Sequence, residues 1–256
     1  MTKPTSFPTR SGISNNQRHS RHDRESQTTI VIPDTIGNLK TTNVIPDMIG
    51  NLKQPTSFPT RSGISKQQIM EDIRYYEAYE ENLQKEIIKM CTSLGMLDGQ
   101  LLDSEDINHK WKEWAPEYIA EALPEVNSYP EFAIACAGYT GMAVAKWWDE
   151  DWGRHHGAAY ESLHGPRGFD DMDEYIVQNI LGLSLDSQEA KQLMNILLCC
   201  AQKAVTFIRH EHIEAQTVKA FHIFARTVKV MYKTGAAIQL RRLGYKLHKI
   251  SLDRNS

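Results

Sequence analysis

The sequence lacks the features that define several large classes of protein. It has four cysteines in 256 residues and no CxxC spacing, so neither a disulfide framework nor a zinc-finger site is expected, and we predict buried free thiols. The longest apolar run, residues 132–145, falls short of the roughly 20 residues that a membrane-spanning helix needs. No targeting signal, Walker loop or GxSxG nucleophile elbow appears in the domain. These absences predict a cytoplasmic protein with no membrane contact.

Residues 1–65 consist of short repeats. Segment 31–40 reads VIPDTIGNLK and 44–53 reads VIPDMIGNLK, while the PTSFPTRSGIS of 4–14 recurs at 55–65. Codons can be chosen for VIPDTIGN such that the same DNA, read in a frame shifted by one base, encodes RHSRHDRES. This is the sequence of 18–26. These polar units cannot bury enough surface to offset their chain entropy, which predicts a disordered tail. We interpret 1–65 as a translated DNA repeat of a bacterial type, with Met70 as the start; the alternative is a genuine flexible tail with duplicated binding motifs.

Residues 66–256 show helical periodicity and no convincing strand pattern, which predicts an all-α, bundle-like single domain. In the first helix Ile69 and Ile73 belong to the apolar seam, and farther on Gly138 and Gly141 would let a neighbouring helix approach closely. The predicted helices, with breaks at Pro116 and after Lys233, are 67–94, 103–114, 116–123, 129–151, 170–181, 187–210, 214–233 and 239–250.

Charge is distributed unevenly along this domain. Residues 70–199 contain 25 Asp and Glu against 9 Lys and Arg, whereas 200–256 contain 11 Lys and Arg against 3 Asp and Glu. Seven residues near the C-terminus form what we call the basic stripe: Lys219, His222, Arg226, Lys229, Lys233, Arg241 and Arg242. Steps of three and four place its first five members on one helix face.

The basic stripe predicts a non-catalytic binding module whose partner is an acidic protein surface or nucleic-acid phosphate. No recognition-helix signature supports base-specific DNA binding. The alternative interpretation is that the stripe faces the acidic body of its own domain or is solvated.

An enzymatic alternative rests on the segment WWDEDWGRHHG and the histidine that follows it. If the helix ends near Trp152, Asp151, His155, His156 and His164 could converge across the loop. Carboxylate and imidazole together suit zinc, iron or manganese with an open position for water, which predicts a metal-dependent hydrolase. The competing interpretation is a helix end that unwinds at Gly153 with solvated side chains.

A shorter pattern resembles the magnesium-binding ExxE and ExxD motifs of all-α nucleotide pyrophosphohydrolases of the MazG type. Glu77 and Glu80 match the first motif, and Asp103 and Asp106 align with the second. The resemblance implies a shared magnesium ion, but Asp103 stands where that class has glutamate. It covers two short motifs only and assigns no family.

Overall fold

The computed structural model describes residues 66–246, and in this range the all-α prediction is confirmed. Its helices are α1 (Lys66–Ser93), α2 (Glu105–Glu125), α3 (Pro130–His155), α4 (Met172–Tyr175), α5 (Gln188–His210) and α6 (Val218–Arg242). A π-helical turn, Ile176–Ile180, extends α4. None of the helices described is long and apolar enough to cross a membrane. The predicted tail, 1–65, and residues 247–256 lie outside the described residues.

Helix α3 lies at the centre of the bundle and packs against α2, α5 and α6. It is buried without interruption from Ala133 to Ala145 because small residues dominate this stretch. At Gly141 a Cβ would lie 1.9 Å from the carbonyl oxygen of Tyr232, and at Gly235 a Cβ would lie 1.9 Å from that of Gly138. The backbones of α3 and α6 are therefore in direct contact. This confirms the close approach that the small residues of α3 predict.

Two predicted helix breaks are wrong. Helix α2 continues through Pro116 and Pro124, and α6 continues through Gly235 to Arg242. Both prolines lie on the exposed side of α2, where water can hydrate the carbonyl that each proline leaves unbonded. In α6 the glycine serves the contact with α3, and the flanking residues are buried.

Candidate functional site

Five of the seven residues of the basic stripe form ion pairs with carboxylates of the same chain. Arg226 and Lys229 each lie 2.5 Å from a different oxygen of Glu80 on α1. The remaining three pairs are Lys233 with Asp103 at 3.6 Å, Arg241 with Asp98 at 2.7 Å, and Arg242 with Glu189. The acidic part of the sequence, 70–199, is therefore paired in the structure with the basic part, 200–256. These five bases have little uncompensated charge.

Glu80 is the centre of this pairing. Burial by itself would raise the pKa of its carboxyl group, but hydrogen bonds and charge from Arg226 and Lys229 outweigh burial and hold the pKa below its ordinary value of 4.5. The Glu80 side chain is only 13% exposed, so solvent screens these pairs less than it screens a surface pair. The two bases thus join α1 to α6.

We expect Glu80→Gln to lower the free energy of unfolding at pH 7 by about 1–2 kcal/mol. Because the folded-state pKa is depressed, the carboxylate contributes stability above pH 4.5, and this contribution is lost as the pH falls through the folded-state value. The difference between variant and wild type should therefore shrink in acid. Denaturant unfolding at a series of pH values measures it.

Glu81→Gln is the matched control, because Glu81 pairs with Lys85 and both side chains are 71% exposed. This substitution should change stability by less than about 0.5 kcal/mol. A Glu80→Gln effect that is no larger than that of Glu81→Gln, or one that is independent of pH, would show that Glu80 does not join the two helices.

The other two residues of the stripe, Lys219 and His222, contact aromatic rings of α1. The Lys219 Nζ lies 4.1 Å from the ring centroid of Tyr75, and the rings of His222 and Tyr76 have centroids 4.9 Å apart. Burial and, to a lesser degree, the charge of Arg226 lower the pKa of His222 below its ordinary 6.5, so this imidazole is neutral at pH 7. Lys219 is exposed, and its ammonium group lies over the Tyr75 ring with no carboxylate of the described residues at ion-pairing distance.

An exposed apolar surface lies beside these contacts. Ile69, Met70 and Ile73 at the start of α1 are 45%, 52% and 43% exposed, and Val218 at the start of α6 is 38% exposed. Sequence periodicity places Ile69 and Ile73 in the seam that continues as buried residues farther along α1, so their exposure is a departure from that pattern. We call this region the α1–α6 edge, and its residues are Ile69, Met70, Ile73, Tyr75, Tyr76, Val218, Lys219 and His222.

The four predicted metal ligands each have a separate environment. The Oδ1 atom of Asp151 accepts a hydrogen bond from the backbone N–H of Arg154, at a break in α3 where Asp151 itself leaves the helical conformation. The His155 ring stacks on Trp147, with centroids 5.3 Å apart, and His156 Nδ1 lies 2.9 Å from the carbonyl oxygen of Gly153.

The fourth, His164, is next to a different carboxylate, with its Nε2 atom 3.1 Å from Oε2 of Glu121 on α2. The Tyr160 hydroxyl is buried beside the same carboxylate, and burial, followed by the charge of Glu121, raises the pKa of this hydroxyl. Among the described residues no three His, Cys, Asp or Glu side chains are grouped to hold a metal ion. The structure thus does not bring the four predicted ligands together, and the metal-dependent hydrolase stays a prediction.

The carboxylates of the pyrophosphohydrolase-like pattern also have other contacts. Both oxygens of Glu80 lie at ion-pairing distance from bases of α6. Asp103 accepts hydrogen bonds from the backbone N–H of Ser104 and the side chain of Asn108, and it precedes α2 instead of lying within it. In this protein, therefore, Glu80 of the magnesium-like pattern contributes to the pairing of α1 with α6, and Asp103 contributes to the start of α2.

Comparison of the chain with protein-family models, curated proteins and solved structures finds no match. Its function must therefore be argued from its own geometry.

Proposed function

We propose that this protein is a non-catalytic interaction module that binds an acidic, amphipathic segment of another protein at the α1–α6 edge. The observation that carries this proposal is the exposure of Met70 and Ile73 on α1 and of Val218 on α6, together with a neighbouring lysine, Lys219, that has no carboxylate partner in the described range. Contiguous patches of exposed apolar side chains are typical of binding surfaces. A cation at the rim adds selectivity for a partner of opposite charge.

A protein partner is favoured over nucleic acid by the state of the basic stripe. Binding to nucleic acid depends on several uncompensated cations that displace counterions from phosphates. Arg226, Lys229 and Lys233 are already paired within the chain. An amphipathic helix, in contrast, could cover the apolar residues while one of its acidic side chains pairs with Lys219.

The proposal is tested by co-purification with three variants of the full chain. Ile73→Ser removes apolar surface from the α1–α6 edge, and Lys219→Glu reverses its charge. Leu198→Ser is the control, because Leu198 on α5 has the same exposure as Ile73, 43%, and is not part of this edge. Each variant must melt close to wild type, which separates loss of binding from loss of folding.

We expect Ile73→Ser and Lys219→Glu each to reduce recovery of an associated protein at least tenfold. A tenfold loss of affinity corresponds to roughly 1.4 kcal/mol of binding free energy. Leu198→Ser should leave recovery unchanged. Equal recovery with all three variants would contradict the proposed surface. Loss of binding only on raising the salt concentration, with nuclease-sensitive material in the complex, would favour nucleic acid instead.

A further inference from the structure

Two buried cysteines from different helices lie in contact. Cys91 is in the last turns of α1 and Cys200 is in the middle of α5, and their Sγ atoms are 3.4 Å apart. Both residues are 0% exposed. A disulfide bond needs about 2.05 Å between the sulfurs, so the atoms must approach by a little over 1 Å.

The two thiols are chemically unequal. The contact with Cys200 lowers the pKa of the Cys91 thiol despite its burial, while the same contact and burial raise the pKa of Cys200. The thiolate is the reactive form of cysteine, so these directions favour Cys91 as the nucleophile, while the geometry of the contact allows either sulfur to donate the hydrogen bond. Cys199 and Cys136 differ from Cys91 in this respect, because burial raises the pKa of each.

We propose that Cys91 and Cys200 are a redox modification site, at which hydrogen peroxide converts the two thiols into an intramolecular disulfide. Peroxide is small enough to enter during local opening of the helix pair. The disulfide would join α1 to α5 across 109 residues of sequence. This inference is independent of the proposed binding surface.

The reaction balances in two steps. The Cys91 thiolate attacks one oxygen of peroxide, the O–O bond breaks, and the hydroxide that leaves takes a proton to become water, which gives a sulfenic acid at Cys91. The Cys200 sulfur then attacks the Cys91 sulfur, the S–O bond breaks, and the second water carries away the Cys200 proton. Two electrons pass from the thiols to peroxide.

The test oxidises the full chain under native conditions with a modest excess of peroxide, then unfolds it, alkylates the remaining free thiols and maps the peptides by mass spectrometry. We expect one cross-linked peptide pair, Cys91 with Cys200, and alkylated Cys136 and Cys199. Cys199→Ser and Cys136→Ser should leave the yield of this cross-link unchanged, whereas Cys91→Ser and Cys200→Ser should abolish it.

A second sample, oxidised in guanidinium chloride, controls for variants that fold poorly. Without the native fold, pairing should spread over all four cysteines. Native oxidation that gives the same mixture, that cross-links separate chains, or that leaves Cys91 as a sulfinic or sulfonic acid with Cys200 still alkylatable would overturn the proposal.

Discussion

Gly141→Ala is expected to lower the free energy of unfolding by about 3 kcal/mol, at the upper end of the usual cost of overpacking a core. The added Cβ would lie 1.9 Å from the carbonyl oxygen of Tyr232 and 2.9 Å from the backbone nitrogen of Ala236. Both atoms belong to the α6 backbone, so no flexible side chain can move aside to relieve the clash. The two helices would have to separate, with loss of packing along their whole contact.

The sign of this effect is informative, because alanine favours an isolated helix over glycine by about 1 kcal/mol. Denaturant unfolding of the full chain gives the measurement. Gly235→Ala should act in the same direction, since its Cβ would lie 1.9 Å from the carbonyl oxygen of Gly138. Gly157→Ala is the control, because no atom lies within 4 Å of the added group. Wild-type stability for Gly141→Ala would refute the backbone contact between α3 and α6.

Lys110→Met is expected to lower the free energy of unfolding by about 2 kcal/mol, the cost of losing a buried charge-assisted hydrogen bond and a cation–π contact. Lys110 is only 2% exposed. Its Nζ donates a hydrogen bond to the carbonyl oxygen of His156, 2.6 Å away at the end of α3, and lies 4.7 Å from the ring centroid of Trp114. Glu113, at 3.1 Å, balances its charge.

Methionine matches the length of lysine but donates no hydrogen bond. The loss of unfolding free energy should therefore come from the polar contacts and not from a cavity. Lys112→Met, on the exposed side of the same helix, is the control and should change stability by less than about 0.5 kcal/mol. Hydrogen exchange of the backbone amides in the last turn of α3 should be faster in Lys110→Met than in wild type, and unchanged in Lys112→Met. If Lys110→Met is as stable as wild type, the lysine does not anchor α3 to α2.

Helical periodicity was sufficient to predict the fold class, and small residues were sufficient to predict that α3 is closely approached. The identity of its neighbour was not predictable in this way. The predicted break after Lys233 includes Gly235, because a lone glycine in a sequence is equally compatible with a helix break and with a close helix contact. Its role depends on what faces it, and Gly138 lies about 100 residues earlier in the chain.

The basic stripe was likewise visible as a pattern, but its environment was not. Spacing shows that Arg226 and Lys229 share a helix face, while their partner Glu80 lies 146 residues from Arg226 in sequence. Only tertiary packing determines that these charges face an acidic residue of α1 and not solvent. The exposure of Ile69 and Ile73 was not predictable for the same reason. Periodicity identifies the apolar face of a helix but does not show which part of that face a neighbouring helix covers.

The measurement that tests the proposed function most directly is site-specific photocross-linking in cells that produce the full chain. A photoreactive amino acid replaces Ile73 in one sample and Leu198, which has the same 43% exposure, in the other. We expect a discrete cross-linked protein from position 73 that is absent from position 198 and that disappears in a Lys219→Glu background. Cross-links of equal yield from both positions, or from position 198 alone, would contradict binding at the α1–α6 edge.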